Sequence, residues 1–132
     1  MYVEPSAVLA ILKEESDAAI YRDRLAVASS KVITVVGKVE AAISLGRAMN
    51  NYTLGPEVVE RFCQDADITI VPIYPDLYAE AVSAYRRFGK GSGHPARLNF
   101  GDCFSYAYSK LHNMPLLFKG DDFSRTDAAS AL

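Results

Sequence analysis

Short β-branched runs alternate with longer runs of helical period along this chain. "MYV" at the start is a very short strand candidate, and "SAVLAILKEE" follows as a helix with Ser6 as its N-cap. "DAAIYRDRLAVA" predicts a second helix. "KVITVVGKVEAAISLGRAMN" begins β-branched and turns helical near Val36. "GPEVVERFCQDA" is a helix with Pro56 in its first turn, and "ITIVPI" is a strand. "PDLYAEAVSAYRRF" is a helix ended by Gly89, and "GKGSGHPAR" is a flexible loop. "FGDCFSYAYSKLH" predicts the last helix, "PLLF" the last strand, and "DDFSRTDAASAL" a short irregular tail. Such alternation predicts an α/β sandwich around a parallel sheet, with its ligand site beyond the carboxyl ends of the strands.

Acids stand where those strands end. Glu4 directly follows "YV", and Pro5 keeps it extended. Asp121 and Asp122 lie shortly after "PLLF". If the two strands are parallel and central, these acids share one rim of the sheet. Taken singly, Glu4 is also compatible with an ordinary solvated acid, and Asp121 and Asp122 with a turn.

Two helical acids add to the set. At about 100° per residue, Val36, Val39, Glu40 and Ile43 form one narrow stripe, which predicts a glutamate turned towards the core. Burying an unpaired carboxylate is costly, so Glu40 is either functional or reaches for solvent from the stripe's edge. Asp102 is less telling. The apolar face of its helix is expected to be Phe104, Ala107, Tyr108 and Leu111, with Asp102 opposite, beside Ser105 and Ser109. An aspartate in a first turn also complements the helix dipole without any further role. Clustered carboxylates repel and retain protons unless a cation neutralises them, and hard divalent cations choose oxygen ligands. No His/Cys spacing for zinc is present, and His94 and His112 are expected at the surface.

Composition changes this picture little. The 132 residues suit a single domain, residues 1–132, and half of them are hydrophobic. The formal charge of −2 neither demands nor excludes a polyanionic partner. Cys63 and Cys103 are expected to be ordinary buried thiols in a reducing compartment. With no signal-like or membrane-length apolar run, a soluble cytoplasmic protein is expected. Charge distribution matters more. From Ala81 to Gly101 there is no acid, while Arg86, Arg87, Lys90, His94 and Arg97 are interleaved with Tyr85 and Phe88. The run is either a solvated helix end or a loop that contacts phosphates. Cations beside an acidic metal site are what phosphodiester chemistry requires.

The segments "VEPSAVLAIL", "VEAAISLGR", "LNFGDCFSYAYSK" and "PLLFKGDDFSRTD" together resemble the PIN-domain ribonucleases, most of all the VapC-type toxins of toxin–antitoxin pairs. The resemblance covers nearly the whole chain, and its last two motifs are the specific ones. It implies a three-layer α/β/α sandwich with a short central parallel sheet. It also implies Mg²⁺ or Mn²⁺ held by rim acids, an RNA substrate and a cognate VapB-type antitoxin as inhibitor. A homodimer is expected. Carried over by motif, the four acids are Glu4, Glu40, Asp102 and Asp122, with Asp121 as a neighbour. Glu4, Asp102, Glu40 and Asp122 are then catalytic and metal-binding, and Arg86, Arg87, Lys90 and Arg97 are RNA-binding. Such families usually carry aspartate where this chain has Glu4, which shifts the charge by one methylene. Two rivals stand beside an endoribonuclease. One is phosphoryl transfer through an aspartyl intermediate, disfavoured by glutamate after the first strand. The other is a weak or inactive PIN-like module that binds RNA or an antitoxin.

Overall fold

The computed structural model describes residues 1–132. Four parallel strands form one sheet: β1 (Tyr2–Val3), β2 (Val32–Thr34), β3 (Thr69–Val71) and β4 (Leu116–Leu117). Between them run α1 (Pro5–Leu12), α2 (Ala18–Val27), α3 (Val35–Ala48), α4 (Leu54–Asp65), α5 (Leu77–Phe88) and α6 (Phe100–Leu111). Strand order is β3-β2-β1-β4. The chain therefore steps outward from β1 to β3 and then returns to the other side of β1.

Strand side chains alternate between the two faces, and the core divides accordingly. Val3, Ile33 and Leu117 pack with α1 to α4. Tyr2, Val32 and Leu116 pack with α5 and α6. Both faces of the sheet are thus covered, giving the three-layer α/β/α sandwich. The irregular tail contributes one 3₁₀ turn, Phe123–Arg125, and then runs beside β4. Leu116 donates its N–H to the Ala129 carbonyl at 2.8 Å and accepts from the Ala131 N–H at 2.8 Å, which closes that edge.

Three local expectations are corrected. Ser6 is not the N-cap of α1; Glu4 is, with Pro5 at the first helical position. On α3 the buried face is Gly37, Ala41 and Leu45, while Val39 and Ile43 are 53% and 47% exposed. At Gly37 the Tyr2 hydroxyl and Ile33 take the space a side chain would fill, and further along α3 Ala42 and Gly46 let α4 approach almost backbone to backbone. A Cβ at Gly55 would come within 2.5 Å of the Gly46 Cα and 3.1 Å of the Ala42 carbonyl. On α6 the expected face holds for Ala107 and Tyr108, which are buried, but the buried surface extends beyond it. Asp102, Ser105 and Ser109 face inward, whereas Leu111 is exposed. Each inward hydroxyl has a partner, Ser105 donating to the Tyr2 hydroxyl at 3.2 Å and Ser109 to the Met114 carbonyl at 2.5 Å.

Gly55→Ala should therefore destabilise the protein by about 1–3 kcal/mol, the usual cost of overpacking. Urea unfolding measures this, and an unchanged midpoint would mean that α3 and α4 are not held at this separation.

Candidate active site

The reversal of strand order between β1 and β4 is where an open parallel sheet leaves a crevice at its carboxyl edge. A cavity of about 200 Å³ occupies that place. Glu4, Glu40, Asp102 and Asp122 all line it, each delivered by a different part of the chain. Glu4 caps α1 at the end of β1, and Glu40 comes from the second turn of α3. Asp102 stands in the first turn of α6, and Asp122 precedes the 3₁₀ turn after β4.

Local chemistry fixes the first and third of these acids. Glu4 Oε2 accepts from the Ser6 N–H at 2.7 Å and from the Ser6 hydroxyl. Ser6 Oγ in turn accepts from the Lys119 N–H at 2.9 Å, and the Glu4 N–H donates to the Leu117 carbonyl at 2.9 Å. The ends of β1 and β4 are thereby tied together at the acid itself. On α6, Asn99 and Asp102 form a capping box. The Asn99 side chain accepts from the Asp102 N–H at 2.9 Å, and the Asp102 carboxylate accepts from the Asn99 N–H at 2.7 Å. Beneath the cavity, the Tyr2 hydroxyl lies 2.9 Å from Thr34 Oγ1, which caps α3. With Ser105 also bonded to it, that hydroxyl joins β1, the start of α3 and α6.

Burial dominates the electrostatics. Glu4 is 2% exposed and Asp102 6% exposed. Desolvation raises the Glu4 pKa to about 8; the Ser6 hydrogen bonds oppose this, and the charges of Asp102 and Glu40 add to it. Burial also raises Glu40, with Asp102 contributing, and raises Asp102, with Asp122 contributing. Lys119 is the one lysine that lines the cavity, yet its ammonium is bound to Glu15 at 2.5 Å and Asp17 at 2.6 Å. The acids thus lack a cationic side chain of their own. The donors are carboxylate oxygens with no histidine or cysteine among them, which fits a hard divalent cation. No three such side chains are drawn tightly enough to hold an ion by themselves. A cation here would complete its shell with water and substrate oxygens.

The remaining sequence candidates lie elsewhere. Asp121 is exposed and pairs with Arg125 at 3.7 Å, outside the cavity. Arg86, Arg87, Lys90 and Arg97 are exposed and do not line it either. Arg87 is bound to Asp127 at 3.3 Å and stacks on Phe88 at 4.4 Å. Sequence reasoning missed Ser6, Asn99 and Lys119. The signals were present: serine two residues after an acid at a strand end, asparagine three residues before Asp102, and lysine between "PLLF" and "DD".

Without a bound cation, the folded protein keeps a proton on Glu4 that the unfolded chain releases near pH 4.5. Between that pH and about 8 the folded state binds the extra proton, so this contribution to stability falls as pH rises. Above pH 8 it levels off. Urea midpoints measured across this range in EDTA should show the decline in the native protein and a flatter profile in Glu4→Gln. Superimposable profiles would mean that Glu4 carries no extra proton.

Comparison with known proteins places the chain. The PIN domain family matches residues 1–129. Ribonuclease VapC28 of Mycobacterium tuberculosis is 39% identical over 132 residues, covering 100% of this chain and 98% of that protein. Ribonuclease VapC of Mycolicibacterium smegmatis is 36% identical over 130 residues, covering 98% of each. Among solved structures, M. tuberculosis VapC20, a sarcin–ricin-loop-cleaving toxin, superposes with a TM-score of 0.76 at 14% identity, covering 97% of this chain and 95% of that one. A toxin–antitoxin complex from Klebsiella pneumoniae gives a TM-score of 0.66 at 14% identity, covering 93% and 89%. From the first strand to the tail, then, this chain belongs to the PIN-domain family and, within it, to the VapC group.

Proposed function

We infer that this protein is a metal-dependent endoribonuclease that hydrolyses RNA phosphodiester bonds in the manner of a VapC toxin. The observation that carries this reading is the meeting of Glu4, Glu40, Asp102 and Asp122 in one cavity at the sheet's crevice, in a chain whose relatives are named ribonucleases. The cavity acids would hold a Mg²⁺ or Mn²⁺ ion, which when bound would supply Lewis acidity for phosphodiester hydrolysis. Glu4, Asp102 and Asp122 supply oxygen donors, and Glu40 binds metal or orients and deprotonates the attacking water. Asp121 supports the loop through Arg125. No side chain acts as a nucleophile.

The partners follow the same reading. RNA phosphates meet Arg86, Lys90 and Arg97 on the exposed basic run, while Arg87 serves the fold through Asp127 and Tyr106. A cognate VapB-type antitoxin inhibits the enzyme, and a second copy of the chain forms a homodimer. Protein partners are supported by exposed apolar surface. Tyr78, Val82 and Tyr85 on α5 and Phe100 on α6 line a groove of about 700 Å³, and Val35, Val39 and Ile43 form a stripe on α3. No helix is long and apolar enough to cross a membrane, and the cytoplasm is the compartment that suits an RNA substrate.

Purified protein should cleave RNA with Mg²⁺ or Mn²⁺ and stop in excess EDTA. Asp102→Asn should abolish cleavage without unfolding the protein, as judged by circular dichroism. Persistent cleavage in EDTA would remove the metal. RNA binding without cleavage under any divalent condition would return the protein to the class of binding modules.

The basic run gives a separate expectation. Replacing Arg86, Lys90 and Arg97 with glutamine should each lower the salt slope of single-stranded RNA binding by about 0.7. Arg87→Gln should instead lower the unfolding midpoint. If the triple variant bound RNA with native affinity and salt dependence, the run would be a solvated surface.

A further inference from the structure

We infer that Gly101 is a positioning residue for Glu40: the missing side chain at 101 is the space in which the Glu40 carboxyl group lies. Gly101 occupies the first turn of α6, between the capping residue Asn99 and the cavity residue Asp102. A Cβ built there would overlap Glu40 Oε2 and come within 2.9 Å of Glu40 Cδ. The next nearest atom, Asn99 Oδ1, stays at 3.4 Å, an ordinary contact. The collision is therefore with one group only, and that group lines the acidic cavity.

Backbone conformation does not explain the glycine. Of the chain's glycines only Gly91, Gly93 and Gly120 have positive φ, so Gly101 adopts a backbone open to any residue. At such a helical position alanine ordinarily stabilises by restricting the unfolded chain. Gly101 forgoes that gain, and what occupies the vacated space is the Glu40 carboxyl. The seat also suits that group. Against the first turn of α6, a carboxylate meets the positive end of the helix dipole, which offsets part of its burial beside Asp102.

The collision falls on the far end of a flexible side chain, so an added methyl group would move the carboxyl rather than break the fold. The two consequences separate: stability is retained while the position of one cavity acid is lost. A displacement of about 1 Å at a reacting centre costs on the order of a hundredfold in rate. This inference rests on the nuclease reading for its catalytic consequence, but the packing relation is independent of it.

The test is a double-mutant cycle between Gly101→Ala and Glu40→Ala, read by urea unfolding, Mn²⁺ affinity and RNA cleavage. Gly101→Ala alone should keep or raise the unfolding midpoint and weaken Mn²⁺ binding. Its kcat should fall on the order of a hundredfold with KM for RNA retained. A crystal structure of the variant should show the Glu40 side chain swung away from α6. In the Glu40→Ala background, Gly101→Ala should change neither Mn²⁺ affinity nor residual cleavage. Native kcat and Mn²⁺ affinity in Gly101→Ala would overturn the inference, as would an equal loss in both backgrounds. If the native protein cleaves no RNA, the nuclease reading fails, while Mn²⁺ affinity and the position of Glu40 still decide the role of Gly101.

Discussion

A carboxyl group lies in the interior of this protein with no cationic side chain beside it, and much of the surrounding structure serves to hold it there. Removing a carboxylate from water without a partner costs far more than a fold of this size can spare, so the group stays protonated or takes a cation. Glu4 is spared complete isolation by Ser6, which donates to it twice and itself accepts from the Lys119 N–H just after the neighbouring strand β4. The one lysine within reach is drawn off by Glu15 and Asp17. The arrangement keeps a site of concentrated negative charge unsatisfied by the protein alone. That is the condition in which an external divalent cation binds well, since it gains the attraction that no internal lysine has already taken.

The architecture was legible because the strands and helices differ so plainly in rhythm. β-branched runs at "KVITV" and "ITIVPI" and the helical periods between them required a parallel sheet with covered faces. Helix phase was less legible. On α3, Val39 and Ile43 suggested an inward stripe, yet Gly37, Ala41 and Leu45 form the buried face, because the Tyr2 hydroxyl and Ile33 lie where a side chain at 37 would go. On α6, Ser105 and Ser109 looked like an outer face. They are interior because each hydroxyl finds a buried acceptor, Tyr2 in one case and the Met114 carbonyl in the other. Hydrophobic periodicity has no means of registering a polar group whose partner is more than a hundred residues away, as Tyr2 is from Ser105.

Motif and strand-end reasoning fared differently from periodicity at the cavity. The four acids it singled out do share one space, whereas the argument from helix face placed Asp102 on the wrong side. The residues that prepare those acids went unnoticed. Ser6 was read as a helix cap, when its hydroxyl and N–H instead serve the true cap, Glu4. Asn99 received no reading, although it forms a capping box with Asp102. These are relations between a side chain and a neighbouring backbone, marked in the sequence only by spacing, as in the asparagine three residues before Asp102.

The pairing of β1 with β4 has a consequence for how the protein comes into being. Residue 2 is held against residue 116, and the acid at residue 4 lies beside a loop that ends at residue 122. β1 and β4 contribute only two residues each, too few to persist without their neighbours. The acid at the end of β1 is therefore completed by cavity residues that lie more than a hundred positions further along the chain. No growing fragment contains a completed cavity, and a chain released early lacks one whole wall of it. The site of an enzyme directed against RNA thus exists only while two short strands more than a hundred residues apart stay paired.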